Sequence, residues 1–361
     1  MAPAIPCKNS VAVLIPPARH AKERRAAQPT RDTRRIKVVK VPGRDALLPW
    51  PAKPPIMAAM KTPLIVILGP TASGKTRLAV AVARLLDGEI ISADSRQVFR
   101  GMDIGTGKDL AEYAEVPHHL IDMVDPGAEF SVFDFQKHFI NAFENIRDRH
   151  RLPILCGGTG LYLDAALRRY RMVEVPPNPA LRTELAALDL PQLQQRLLAL
   201  RARQHNTSDL QDRERILRAI EIAEGEKQAP PLPLPDLQPL VFGLRLERPE
   251  LRRRITERLR QRLEQGLIEE VAALRQQGVA DAVLEYYGLE YRLVVQHLQG
   301  LLNRNDLFQK LNSAIHQFAK RQETWFRRME KQGVIIHWLN PAGQPLKALL
   351  AITAAHGLGS P

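Results

Sequence analysis

The stretch from Pro63 to Thr76 constrains the fold of this chain more than any other. Pro63 to Leu68 is a short continuous apolar run, the pattern of a buried parallel strand. A glycine-rich loop follows, and Arg77 to Leu86 then has the composition of a helix. A strand, a glycine loop and a helix in this order predict an α/β fold built on a parallel sheet.

The loop reads G-P-T-A-S-G-K-T and matches the pattern G-x-x-x-x-G-K-[ST] in full. Its glycines let backbone N–H groups converge on phosphate oxygens, and the N-terminus of the following helix adds positive potential. Lys75 supplies a positive charge, and the Thr76 hydroxyl is suited to Mg²⁺. We therefore predict a diphosphate or polyphosphate site formed by Gly69, Thr71, Ala72, Ser73, Gly74, Lys75 and Thr76.

Further apolar runs extend the sheet. Glu89 to Ala93, Leu152 to Cys156, Val241 to Leu246 and Gly333 to Trp338 are candidate strands, and residues 249–276 have the spacing of one long amphipathic helix. Between Pro176 and Gln238, leucines at helical spacing precede a proline cluster. We predict a P-loop NTPase-like α/β fold, a parallel sheet flanked by helices, with a small helical insertion domain.

The predicted divisions follow from these patterns. We assign residues 61–177 to the first part of the P-loop core, 178–238 to a helical insertion and linker, and 239–340 to the second part of the core. The second part carries the long amphipathic helix and a basic C-terminal helix. Residues 341–361 are assigned to a tail without a clear pattern.

Residues 1–60 carry much of the positive charge. The chain has a formal net charge of +13, and this leader holds twelve Lys or Arg and three acidic residues. It is rich in proline and has no sustained period, so we expect it to be disordered. Three interpretations of the leader are open: a basic arm for nucleic acid, a targeting peptide, or sequence upstream of a true start at Met57 or Met60. The third interpretation is favoured.

The segment after the second strand carries the next group of polar residues. Asp94 lies at the carboxyl end of that strand, on the edge where open α/β sheets bind ligands. A carboxylate there is either a magnesium ligand or a general base, and position alone does not separate the two. Many NTPases carry an acidic residue directly after the third strand, whereas this chain has Gly157 to Tyr162 there, without an acidic residue. This difference argues against the magnesium and water arrangement of a hydrolytic NTPase.

A basic and aromatic stretch, Phe318 to Arg327, lies near the C-terminus. It either contacts a phosphate backbone or forms a helix with a solvated face, and its residues alone favour the solvated face. Cys7 and Cys156 give no disulfide framework, and Cys156 lies in a predicted core strand. The sequence has no apolar run of about eighteen residues, so we expect no membrane span.

Five motifs in one register resemble the tRNA dimethylallyltransferases, also called tRNA isopentenyltransferases. The resemblance covers about Pro63 to Leu339 and includes the glycine loop, D-S-R-Q-V-F-R-G-M-D-I-G-T-G-K from Asp94, and G-G-T-G-L-Y from Gly157. R-I-x-x-R and G-L-I-E-E-V follow in the long helix, and F-A-K-R-Q-E-T-W-F-R closes the series. The second and last motifs are the most specific.

This resemblance implies transfer of a dimethylallyl group from dimethylallyl diphosphate to N6 of an adenosine beside the anticodon of a tRNA, with release of diphosphate. It implies that Asp94 is the general base, and that Lys75, Thr76 and Arg258 neutralise the leaving diphosphate together with Mg²⁺. The target base would be flipped out of its stack. We expect a cytoplasmic monomer acting on the anticodon stem-loop.

The resemblance also implies that the helical insertion, residues 178–238, binds tRNA, and that eight positions of the chain contact it. They are Asp94, Ser95, Arg96, Gln97, Thr159, Arg182, Arg215 and Arg218. The chain departs from the family where many bacterial members have isoleucine-glycine-tyrosine-arginine, because it reads Tyr286 to Arg292 as Y-Y-G-L-E-Y-R.

Three other functions stay open at this stage. One is prenylation of free adenine nucleotides, which needs no RNA-sized surface and is disfavoured by the helical insertion. Another is a P-loop kinase or NTPase. The third is a catalytically idle RNA-binding homologue, which the presence of Lys75, Asp94 and Arg258 together makes improbable.

Overall fold

The computed structural model describes residues 62–167, 170, 172–200, 210–226 and 232–357. The predictions for the leader, residues 1–60, fall outside these ranges, as does Cys7. Within the described ranges, no helix combines the length and apolar character needed to cross a membrane.

A six-stranded parallel sheet forms the centre of the fold, in the order β3-β2-β4-β1-β5-β6. Its strands are β1 Thr62–Leu68, β2 Gly88–Ala93, β3 His118–His119, β4 Leu152–Gly157, β5 Leu237–Leu244 and β6 Ile336–Leu339. The alternation of side chains divides β1 between two cores: Leu64 and Leu68 face one side of the sheet, and Ile65 and Ile67 face the other. The parallel α/β fold is thereby confirmed.

Helices cover both faces of the sheet. The α-helices of the described ranges are α1 Lys75–Leu85, α2 Val132–Asp148, α3 Gly160–Leu167, α4 Pro179–Ala186, α5 Leu190–Leu200, α6 Arg213–Gly225, α7 Arg248–Glu264, α8 Leu267–Gln276, α9 Asp281–Tyr286, α10 Leu289–Leu298, α11 Arg304–Lys331 and α12 Pro345–Ala355. The smaller of the two cores contains side chains of α1 and Leu349 of α12. The larger core, on the other face of the sheet, contains side chains of α2, α3, α7, α8, α10 and α11.

Helices α4, α5 and α6 form a cluster with its own apolar core. Leu185 and Leu193 are fully buried in it, together with Ile216 and Ile220 of α6. These are the leucines whose spacing predicted helices in this segment. A separate core explains how a short insertion stays folded beside the sheet.

The segment predicted as one helix over 249–276 is two helices. α7 ends at Glu264, and Gly266 adopts φ +103° before α8 begins at Leu267. Glycine tolerates this left-handed conformation, which breaks the helical path. The prediction of a single long helix was therefore wrong, although Leu251 and Ile255 do lie on the buried face.

Strand limits and the tail also differ from the predictions. β5 begins at Leu237, four residues before the predicted start, and β6 begins at Ile336 because Gly333 adopts φ +94° just after α11. The segment assigned to a patternless tail contains α12, whose Leu349 is fully buried against the sheet. A short apolar helix near a terminus has too few residues to show a clear period.

Candidate functional site

The glycine loop connects β1 to α1 and leaves the start of the helix open. Gly74 is the N-cap residue with φ +88°, no side chain caps the helix, and its first turn has no acidic residue. The backbone N–H groups of this turn are therefore free of competing side-chain acceptors. An uncapped helix N-terminus with converging amides binds phosphate groups.

The first two side chains of α1 face a cleft. Lys75 and Thr76 are both partly buried and line the cleft wall. Burial lowers the pKa of Lys75, an effect opposed by the negative charge of Asp94 and reinforced by the positive charges of Arg258 and Arg262. An ammonium group that has lost hydration in this way gains most from a bound anion.

Asp94 follows β2 directly and faces the same cleft. Its Oδ1 accepts a hydrogen bond of 2.9 Å from the Arg96 backbone amide, which fixes the carboxylate as part of a turn. Strands β2 and β1 flank β4 in the sheet, so the carboxyl ends that carry Asp94 and the glycine loop lie at one edge. The structure thus places the Asp94 carboxylate and the glycine loop in one cleft.

Thr159, just after β4, holds the turn that contains Asp94. Its amide donates to the Ala93 carbonyl at 3.1 Å, and its Oγ1 accepts from the Ser95 amide at 3.0 Å. Neither Thr159 nor Ser95 is among the residues that line the cleft. Both predicted site residues therefore lie beside Asp94 and support its turn.

Arg258 of α7 lies against the loop that follows Asp94. Its Nη2 donates to the Asp109 carboxylate and, at 3.4 Å, to the Gly107 carbonyl. Arg262, one turn later on α7, is 8% exposed, and burial together with the charge of Arg258 lowers its pKa to about 10. Glu290 lies 3.9 Å from it. Two guanidinium groups thus meet near one turn of the cleft wall.

Gly107 makes this approach possible. A Cβ atom at this position would lie 1.5 Å from Arg262 Nη2 and 2.7 Å from Arg258 Nη2, and the residue has φ +61°. Any side chain here would displace at least one of the two arginines. This steric requirement accounts for the second glycine of the G-T-G-K motif.

Lys108, the last residue of that motif, is structural. Its side chain is fully buried, and Nζ donates to the Phe99 carbonyl at 2.7 Å, to Asp103 at 2.6 Å and to the Asp122 carboxylate. Three oxygen acceptors satisfy the three ammonium protons. The lysine folds the loop and is not available to a ligand.

The cleft has a volume of about 1160 Å³ and opens at the carboxyl edge of the sheet. Of the predicted site residues, those that line it are Thr71, Ala72, Gly74, Lys75, Thr76, Asp94, Arg96, Gln97, Arg215 and Arg258. Gly69 and Ser73 belong to the glycine loop but are buried, and the Ser73 hydroxyl has no hydrogen-bond partner among the described residues.

Gln97 faces inward although it borders the cleft. Its Oε1 accepts from the Ser92 hydroxyl at 2.9 Å, and its Nε2 donates to the Gly107 carbonyl at 3.1 Å. Both ends of the amide are therefore used within the protein. In this structure, Gln97 links β2 to the loop that meets Arg258.

Arg182 and Arg218 lie outside the cleft lining. Both donate to the Glu221 carboxylate, from Arg182 at 2.8 and 3.1 Å and from Arg218 at 3.1 Å, and Arg218 also donates to the Val175 carbonyl at 2.7 Å. The Glu221 side chain is fully buried. Arg215, by contrast, lines the cleft from α6.

Helix α11 presents two faces. Lys320 and Arg327 are exposed, whereas Ala319, Gln322 and Phe326 are buried. The stretch therefore forms a helix with a solvated basic face, the alternative that its residues favoured, and its opposite face is packed. The helix also brings Phe318, Arg321 and Gln322 to the cleft wall.

Several cleft residues were absent from the predicted site. They are Arg262, Tyr286, Glu290, Phe318 and Gln322. For Gln322 a signal existed in the sequence, because Ile315, Ala319, Gln322 and Phe326 recur at helical spacing and so share the buried face. For Glu290 no such signal existed, since its position depends on how α10 meets α7.

Comparison with known proteins identifies the family. A family model described as IPP transferase matches residues 97–329, and one described as isopentenyl transferase matches residues 62–118. The tRNA dimethylallyltransferase 2 of Syntrophotalea carbinolica is 70% identical over 292 residues, which cover 80% of this chain and 98% of that relative. The tRNA dimethylallyltransferase 1 of Geotalea uraniireducens is 62% identical over 288 residues, with 80% and 96% covered.

Solved structures share the fold. The full-length tRNA isopentenylpyrophosphate transferase from Bacillus halodurans superposes with a TM-score of 0.61 at 32% identity, covering 82% of this chain and 96% of that one. A eukaryotic dimethylallyltransferase, solved acting on tRNA, gives a TM-score of 0.66 at 22% identity, covering 82% and 79%. Because a family model spans more than half of its length and its relatives reach 70% identity, this chain belongs to the tRNA dimethylallyltransferase family.

Proposed function

We propose that this protein transfers a dimethylallyl group from dimethylallyl diphosphate to N6 of an adenosine beside the anticodon of a tRNA. The observation that carries the proposal is that an uncapped phosphate cradle and the Asp94 carboxylate face one cleft of about 1160 Å³. That volume exceeds the range of about 300 to 1000 Å³ usual for small-molecule pockets, so it has room for a donor and an extruded base.

The reaction balances without a redox partner. The bond between C1 of the dimethylallyl group and the bridging oxygen breaks, a bond forms between C1 and N6, and N6 gives up a proton. Asp94 accepts that proton, and diphosphate leaves with the bonding electron pair. A carboxylate within hydrogen-bond reach of the amino group is suited to this task.

Cations near the glycine loop are proposed to stabilise the leaving group. Departure of diphosphate concentrates negative charge on the bridging oxygen, and groups already fixed there favour the transition state. Lys75 has lost hydration through burial, and Arg258 is held in place by Asp109 and Gly107. Arg258 is therefore held in place before the donor binds.

The residues at the cradle fit a magnesium ion as cofactor. Mg²⁺ is usually held by one or two protein oxygens together with substrate phosphates, and the described residues contain no cluster of three or more metal-ligating side chains that would form a closed site. The Thr76 hydroxyl lines the cleft and offers such an oxygen. A bound Mg²⁺ would neutralise charge on the diphosphate.

The acceptor is proposed to be RNA and not a free nucleotide. Arg215 from the helical insertion lines the cleft, and Arg321 of α11 lines it as well. Basic side chains on elements far apart in sequence suit an extended phosphate backbone, and an adenosine in an RNA loop is readily unstacked. Family membership also argues against a kinase or NTPase.

We further propose that the protein acts as a monomer. The proposal places the reaction in the cytoplasm, where tRNA serves translation. Arg182 and Arg218, implied to contact tRNA, would act indirectly, by holding the insertion together around Glu221.

Mass spectrometry of nucleosides tests the function. The chain is incubated with Mg²⁺, dimethylallyl diphosphate and an anticodon stem-loop that carries the acceptor adenosine, and we expect an N6-prenylated adenosine. Transfer to AMP or ATP alone would show that the acceptor is a free nucleotide, and no transfer to either would refute prenyl transfer.

Asp94→Asn tests the proposed base. Asparagine keeps an oxygen for the Arg96 amide, so we expect transfer to fall by about 10² to 10⁴ while tRNA affinity stays within twofold. Asp87→Asn, at an exposed position at the opposite end of β2, serves as the control. An equal loss of tRNA binding in the Asp94 variant would make Asp94 a structural residue.

A further inference from the structure

We propose that Gln322 is a positioning residue, which fixes the glycine loop relative to the turn that carries Asp94. The inference rests on the proposed function and concerns the alignment of its two halves, the diphosphate cradle and the base. Gln322 lies on α11, far from both halves in sequence, and borders the cleft.

The Gln322 amide bridges two loops. Its Oε1 accepts a hydrogen bond of 2.9 Å from the Thr71 backbone amide, and its Nε2 donates one of 3.0 Å to the Gly158 carbonyl. The residue is 7% exposed. An amide group has one acceptor end and one donor end, and here the two ends hold two different segments.

The first segment is the cradle. Thr71 belongs to the glycine loop and lines the cleft, so the hydrogen bond from its amide to Gln322 restrains the position of the loop. Ala72 beside it has φ +61°, a left-handed conformation that is unfavourable for a residue with a side chain. A loop in this conformation needs outside contacts to keep one shape, and Gln322 provides one of them.

The second segment leads to the base. Gly158 precedes Thr159, whose amide donates to the Ala93 carbonyl and whose Oγ1 accepts from the Ser95 amide. Asp94 lies between Ala93 and Ser95. The chain of hydrogen bonds from Gln322 therefore ends on both sides of the proposed base.

The absence of a side chain at Gly158 leaves room for this bridge. A Cβ atom there would lie 2.4 Å from Gln322 Nε2 and 3.2 Å from the Gly69 carbonyl oxygen. The turn after β4, the glycine loop and the glutamine thus meet at one point, which only glycine leaves open. This contact links the G-G-T-G motif to the K-R-Q-E-T-W motif, although 164 residues separate the two partners.

Helix α11 is itself anchored beside this point. Trp325 Nε1, one turn after Gln322, donates to the buried Asp164 of α3 at 2.8 Å. Because α3 begins at Gly160, the helix and the turn are fixed to each other twice. Gln322 consequently acts from a rigid support, as precise positioning requires.

Gln322→Met tests the proposal, with Gln136→Met as a matched control. Methionine has a similar length and makes neither hydrogen bond. Gln136 is a fully buried glutamine of α2 outside the cleft, and its Nε2 donates to the Ala165 and Tyr170 carbonyls at 2.9 and 3.0 Å. Both variants lose buried hydrogen bonds, so both are expected to lower Tm.

Only the Gln322 variant should change the site. We expect its affinity for inorganic diphosphate, measured by calorimetry, to fall at least fivefold, and kcat at saturating tRNA and donor to fall at least tenfold, with tRNA affinity within twofold of wild type. The Gln136 variant should match wild type in all three.

Equal behaviour of the two variants in diphosphate binding and kcat would overturn the positioning role. A wild-type protein without prenyl transfer would instead refute the proposed function, and the diphosphate measurement would still decide whether Gln322 shapes the cradle. A Gln322 variant that loses tRNA affinity with diphosphate affinity unchanged would make the residue an RNA contact and overturn the proposal.

Discussion

The Tyr291 hydroxyl donates a hydrogen bond of 2.7 Å to Glu270 Oε1, beside the backbone amides that the same carboxylate binds. Glu270 also accepts from the amides of Asp103, Ile104 and Gly105 at 2.7 to 3.0 Å. One carboxylate of α8 thereby fixes the loop that continues to Gly107, the residue whose carbonyl Arg258 contacts. This explains why the G-L-I-E-E-V motif accompanies the G-T-G-K motif.

Replacing Glu270 by glutamine should loosen that loop. Glutamine keeps only one oxygen. Its NH₂ group takes the place of either Oε2, which accepts from the Asp103 and Ile104 amides, or Oε1, which accepts from the Gly105 amide, so at least one backbone amide loses its acceptor. We expect the free energy of unfolding to fall by about 2 to 4 kcal/mol in denaturant titrations. We also expect KM for the prenyl donor to rise. Glu269→Gln, its exposed neighbour, is the control, and equal unfolding of the two variants would contradict this account.

Gly107→Ala should separate steric displacement from backbone strain. Gly101 is the matched control, since it has φ +68° and nothing within 4 Å of an added Cβ, whereas at Gly107 the Cβ meets Arg262 and Arg258. Both variants should lose about 1 to 2 kcal/mol of stability through the left-handed backbone. Only Gly107→Ala should weaken binding of inorganic diphosphate, by about tenfold or more in calorimetry. A similar loss in Gly101→Ala would show that the arginines are not involved.

The sequence was sufficient for the parts of the fold that depend on local pattern. The apolar run before Gly69 and the loop motif predicted β1, the cradle and the parallel sheet. The leucines at 181, 185, 193 and 197 predicted the insertion helices and are buried as expected. These features need only nearest neighbours and one buried face to specify them.

Other features depend on tertiary contacts that no local pattern encodes. Gly266 lies within a continuous amphipathic pattern, so its left-handed backbone did not interrupt the predicted helix. Lys108 resembles a phosphate-binding lysine in sequence, yet its three acceptors come from Phe99, Asp103 and Asp122. Gln322 acts on residues 164 and 251 positions away, a relationship visible only after folding.

Two arginines of the insertion should differ in their response to alanine. Arg215 lines the cleft, so Arg215→Ala should weaken tRNA binding and reduce the slope of log affinity against log salt by about 1. Arg182→Ala removes two hydrogen bonds to buried Glu221, so it should mainly lower Tm. Filter binding over a salt series and thermal unfolding measure the two effects. A salt slope that changes only for Arg182→Ala would reverse this assignment.

Glu89 should make stability depend on pH in the acid range. Its side chain is 3% exposed, and burial alone would raise its pKa, but hydrogen bonds from Arg149 and His119 outweigh burial and lower the pKa from 4.5 to about 2. A lowered pKa in the folded state contributes stability above pH 4.5 that is lost as pH falls toward 2. The contribution is at most about 3 kcal/mol.

Denaturant titrations between pH 6 and pH 2 measure this loss, and Glu89→Gln removes the titrating group. We expect the free energy of unfolding of wild type to fall more steeply below about pH 4.5 than that of Glu89→Gln, because only wild type must protonate this carboxylate. Glu144→Gln, at an exposed position of α2, should retain the wild-type slope. Parallel curves for wild type and Glu89→Gln would show that the ion-pair cluster at the start of β2 does not control acid stability.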